Sequence, residues 1–130
     1  MSTAEIKDGP VSAKKLRLAL EAVAEPARAP AMQAYMKSEM PYLGVASTAL
    51  RAVTKSLFSG LHYANSETWQ ANVTDIWRNA QFREEYYAAY ELTGIKSARP
   101  FQRMGALPMY RDMIVTGAWW DIIDNIAPNP

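Results

Sequence analysis

The feature of this 130-residue chain that most restricts its fold is a spacing: between its proline and glycine stops, apolar residues recur three and four positions apart, as on one side of a helix. Trp69, Val73, Ile76 and Trp77 stand at i, i+4, i+7 and i+8, and Ala13, Leu16, Leu20 and Val23 repeat in the same manner until Pro26. No stretch shows a run of β alternation or a hairpin signal such as Asn-Gly. The spacing therefore predicts an all-α fold of amphipathic helices joined by short loops. Pattern alone leaves open whether these form an irregular bundle or helix pairs stacked as a solenoid.

Taken in order, residues 1–10 read as a mobile N-terminal tail ending at Gly9-Pro10, and residues 11–130 as one helical domain. After the first helix, Pro30 opens a short second one carrying Met32, Tyr35 and Met36. A connector with Gly44 leads to Ser47, a candidate cap for a third helix whose buried face is Leu50, Val53, Thr54, Leu57 and Phe58. Arg51 and Lys55, four apart, project together beside that face. Ser59-Gly60 breaks it, and Asn65 or Ser66 caps the next. In the helix ended by Gly94, the expected buried face is Phe82, Tyr86, Ala89 and Tyr90, with Arg83, Glu84 and Glu91 elsewhere. Met104, Leu107, Tyr110 and Ile114 make the expected face of the following helix, with Pro108 in its first turn.

Several chemistries are excluded. The chain has no cysteine and one histidine, so neither a disulfide framework, a thiolate metal site nor a Ser-His-Asp or histidine-metal constellation is assembled around His62, and no cofactor is expected. Glu84 and Glu85 are adjacent, so on a helix they diverge by about 100° and do not flank one substrate atom. With 14 basic against 13 acidic residues the net charge is +1, and any nucleic-acid role must come from where charges are placed. The opening MSTAEIKDGP lacks an apolar signal core and no apolar run approaches the roughly 20 residues of a membrane span, so a cytoplasmic protein without a membrane partner is expected.

The last stretch is the densest. Trp119, Ile122, Ile123 and Ile126 form one apolar stripe, while Trp120 and Asp124 stack one turn apart on another side and Asp121 stands near the helix start. Periodicity alone fits two readings of Trp120 and Asp124: an indole on the rim of the core beside a surface carboxylate, or a site.

Three segments, Met32 to Val45 (MQAYMKSEMPYLGV), Trp77 to Leu92 (WRNAQFREEYYAAYEL) and Leu107 to Ile126 (LPMYRDMIVTGAWWDIIDNI), resemble the bacterial AlkD-type DNA alkylation repair glycosylases. The resemblance implies HEAT-like antiparallel helix pairs stacked as a short α-solenoid around duplex DNA. It also implies hydrolysis of the N-glycosidic bond of cationic alkylated purines of the N3-methyladenine and N7-methylguanine type, and a location with the bacterial nucleoid. By the same resemblance Trp120 and Asp124 are the catalytic residues, and Arg51, then Lys55, the DNA-binding ones. Two departures stand out. Ala46 occupies a place where relatives commonly carry a polar side chain, and the chain stops at Pro130, soon after the motif, so it is expected to correspond to the N-terminal portion of a longer enzyme. A non-catalytic helical-repeat DNA-binding protein, and a fragment that self-associates through its C-terminal helix, are the alternatives.

Overall fold

A computed structural model describes residues 7–8, 10–38, 40–102 and 104–117; the terminal stretch with Trp119, Trp120, Asp121 and Asp124 lies outside the described residues. The chain is built of helices: α1 (Ala13–Ala22), α2 (Ala29–Tyr35), α3 (Ser47–Phe58), α4 (Ser66–Asn79), α5 (Arg83–Thr93) and α6 (Leu107–Gly117), with 3-10 turns at Pro26–Arg28, Lys96–Phe101 and Met104–Ala106. Among the described residues no helix is long and apolar enough to cross a membrane.

The centre of the fold is the antiparallel packing of α4 against α5, the most extensive contact between elements. As the spacing predicts, Trp69, Val73, Ile76 and Trp77 are buried, and each indole has a specific neighbour. Trp69 donates its ring N–H to the Leu92 carbonyl at 3.2 Å, while Trp77 lies against Tyr86 with ring centroids 4.0 Å apart. Asn65 caps α4: its side chain accepts from Thr68 N at 2.9 Å, and the Thr68 hydroxyl receives the Asn65 N–H in return.

The buried face of α5 is not the expected one. Glu85, Ala88, Ala89 and Leu92, at i, i+3, i+4 and i+7, are all fully buried, and Tyr86 and Tyr90 are only half-buried. The helix is rotated by roughly one residue, about 100°, relative to the face that the aromatic side chains suggest. The reason is that both carboxylates find partners inside. One oxygen of Glu85 accepts the N–H groups of Gln81 (2.9 Å) and Phe82 (3.1 Å) at the start of its own helix, and the other accepts the Arg17 guanidinium at 3.0 Å. Arg17 also donates to the Asn79 carbonyl, so α1 and the α4–α5 corner are tied together. Arg83, also buried, stacks over Tyr87 at 5.8 Å.

Other expectations shift in similar ways. On α6 the buried residues are Met109 and Met113, in line with Ala106, while Leu107 is exposed. Val23 lies past the last turn of α1 and is partly exposed. The short α2 buries nothing and leaves Tyr35 at 86% exposure, because seven residues end before a stripe can reach the core. Ser47 is the first residue of α3 rather than its cap; Ala46 takes that place, with no side-chain bond. The helix nonetheless starts there, and the clamp described below accounts for it.

Lys7–Asp8 (β1) pairs in parallel with Leu61–His62 (β2). The Asn72 carboxamide accepts from Val11 N at 2.9 Å and donates to the Val11 carbonyl at 2.8 Å, stapling the segment before α1 onto α4. Tyr63 donates its phenol to the same Asn72 oxygen at 2.6 Å, and burial pushes its pKa up to about 12, which keeps it a donor.

Candidate nucleic-acid interface

Arg51 and Lys55 are presented by α3, whose other sides are occupied. Thr54 and Phe58 are buried and Leu50, Val53 and Leu57 pack half-buried against the core, so the two basic side chains, one turn apart, are left in solvent. The entry of α3 is held by Glu84. Its carboxylate, 1% exposed, accepts three successive backbone N–H groups: Leu43 at 2.8 Å, Gly44 at 2.9 Å and Val45 at 3.0 Å. A carboxylate filled by backbone donors is among the stronger polar contacts a protein makes.

Gly44 within this turn has φ +94°, and a Cβ there would lie 2.1 Å from the Glu25 carbonyl oxygen. Only glycine fits. Its own carbonyl accepts from Glu25 N at 2.8 Å, so the turn is gripped from both sides. The result is a rigid mount: α5 sets the turn, the turn sets the start of α3, and α3 carries the cations.

Arg51 and Lys55 border an open depression of about 700 Å³ between the second half of α3, β2 and the chain after α5. It is also lined by the exposed His62, Lys96 and Glu91 and the half-buried Ile95, with the buried Phe58 and Leu61 beneath. Ser97 donates to the Leu61 carbonyl at 2.6 Å, joining two sides of the hollow. None of the ion pairs among the described residues involves Arg51, Lys55 or Lys96. Lys55 stands in the last turn of α3, where it also offsets the negative carbonyl end of the helix.

Sequence reasoning brings Arg51 and Lys55 together correctly as neighbours on one face, and it misses Lys96. Lys96 opens a 3-10 turn after Gly94, and no periodicity links it to α3. The structure says nothing about Trp120 and Asp124, which lie outside the described residues. Among the described residues no group of three or more His, Cys, Asp or Glu side chains is placed to hold a metal ion.

Comparison with known proteins adds one finding. The profile of a protein family described as DNA alkylation repair enzyme matches residues 16–130, from the middle of α1 to the last residue. No curated protein matches the chain. With the match covering nearly its whole length, the chain belongs to the DNA alkylation repair enzyme family.

Proposed function

We propose that this chain contributes to the release of cationic alkylated purines, of the N3-methyladenine and N7-methylguanine type, from duplex DNA by hydrolysis of the N-glycosidic bond. The observation that carries the reading is family membership over residues 16–130, and the exposed Arg51 and Lys55 on a rigidly mounted helix support it as groups suited to phosphate.

A purine alkylated at a ring nitrogen bears positive charge and is already a good leaving group. As the C–N bond breaks, the electron pair goes to the base and positive charge develops on the sugar, where water adds and loses a proton. The protein's share is to stabilise that cation and to place the water. The indole of Trp120 offers the negative face of its π-system, worth about 0.5–2 kcal/mol. Asp124, four residues on, supplies a carboxylate to offset the developing positive charge, the sign-reversed counterpart of an oxyanion hole, where one group is worth about 3–4 kcal/mol. Arg51 and Lys55 hold the backbone of the duplex.

The test is release of N7-methylguanine from duplex DNA by the protein and by Asp124→Asn. Loss of release with DNA binding retained is expected; undiminished release would remove Asp124 from the chemistry.

A further inference from the structure

We propose that Lys96 is a third phosphate-binding residue, so that the backbone of a paired duplex is held across the hollow, from Arg51 and Lys55 on α3 to the turn after α5, instead of along α3 alone. The inference rests on the nucleic-acid reading above and deepens it by extending the contact surface to a second segment of the chain.

Elsewhere the fold answers several bases from within: Arg17, Arg28 and Arg78 each pair with a carboxylate. Around the hollow it does not. Arg51, Lys55 and Lys96 are exposed and join none of the ion pairs among the described residues, although they come from two segments and line one space of about 700 Å³. Three like charges gathered about one hollow repel one another, with the single carboxylate of Glu91 as counterweight, and an outside anion relieves that repulsion. Lys96 is also held in place by its neighbours. Ile95 packs against the core, Ser97 donates to the Leu61 carbonyl at 2.6 Å and Ala98 is fully buried, so the backbone that carries the ammonium is fixed at the edge. The floor of the hollow selects the kind of anion. Phe58 and Leu61 are 4% and 3% exposed, so a ligand pressed inward gains little apolar contact, and what this surface offers is charge. A paired duplex is suited to such a surface, since it carries phosphates on its outer ridges and keeps its bases inside. Its strand lays successive phosphates on separate cations, whereas one small anion drawn in among all three also meets Glu91.

The experiment measures, by fluorescence anisotropy, binding of an unmodified fully paired duplex to the 130-residue protein over a series of salt concentrations. Lys96→Ala is expected to weaken binding about tenfold at low salt, the effect of one charged contact, and to lower the slope of log affinity against log salt by about 1. Lys96 is exposed, so the variant keeps its fold. Lys96→Arg, which keeps the charge, should retain the slope. Lys14→Ala serves as the comparison, because Lys14 is equally exposed and does not line the hollow; it should leave the slope as it is. An unchanged slope in Lys96→Ala, the same loss in Lys96→Arg, or an equal loss in Lys14→Ala overturns the proposal. A second arm separates a strand from a free anion: inorganic phosphate added at constant ionic strength should leave the duplex bound. Displacement of the duplex by phosphate would assign the cations to a small anion and overturn the proposal. Purine release in the Asp124→Asn comparison is read independently. A slope lowered by Lys96→Ala leaves Lys96 in its role whether or not a purine is released, and release with an unaltered slope removes Lys96 alone. If the unaltered protein binds no duplex, the role of Lys96 and the nucleic-acid reading beneath it fail together.

Discussion

Two sets of charges on neighbouring helices meet opposite fates. On α5 the adjacent Glu84 and Glu85 are withdrawn from water and filled with partners, five backbone N–H groups and a guanidinium between them. On α3 Arg51 and Lys55 stay in solvent and join none of the ion pairs among the described residues. Length, possession of a charge and helical setting do not separate the two sets, since all four side chains share them. What separates them is whether the charge has been answered from within. The acids hold the fold, and the bases remain available to an outside anion.

The comparison breaks most sharply at Glu84. Alanine there leaves the N–H groups of Leu43, Gly44 and Val45 without their acceptor in a buried place, and a loss of about 4 kcal/mol in urea unfolding is expected. Gly44→Ala attacks the same turn from its other side. The left-handed φ and the collision with the Glu25 carbonyl predict a loss of about 3 kcal/mol, measured in the same way. If either variant kept wild-type stability, the clamp would not be what sets the start of α3. The opposite outcome is expected for the bases. Arg51→Ala and Lys55→Ala should each change stability by less than about 0.5 kcal/mol. Each should also lower the slope of log affinity for duplex DNA against log salt by about 1. A stability loss equal to that of Glu84→Ala would place the bases with the acids and end the contrast.

The same contrast shows how far the residues can be read before any coordinates. The faces of α1 and α4 are legible because their buried positions, Asn72 apart, are filled by apolar side chains; Leu16, Leu20, Trp69 and Ile76 say plainly where the core is. The face of α5 is not. Phe82, Tyr86 and Tyr90 advertise burial by their rings, yet Glu84 and Glu85 go deeper, because a carboxylate's fate depends on donors that come from residues 43 to 45 and from Arg17. Periodicity ranks side chains by what they are, and cannot see distant backbone N–H groups. For the same reason Arg51 and Lys55 are found from spacing within one helix, whereas Lys96 reaches the same hollow only through the tertiary fold. The family match covers the motif that carries Trp120 and Asp124, whose place in the proposed reaction is tested by release rather than by packing.

The parallel pairing of Lys7–Asp8 with Leu61–His62 puts two events on one piece of backbone. Leu61 and His62 are at once the partner of the upstream strand and part of the hollow's border. Any ligand that bound there more tightly with the strand docked would tighten the strand by the same factor. Hydrogen exchange at these few amides, followed as the hollow fills, would read that reciprocity directly.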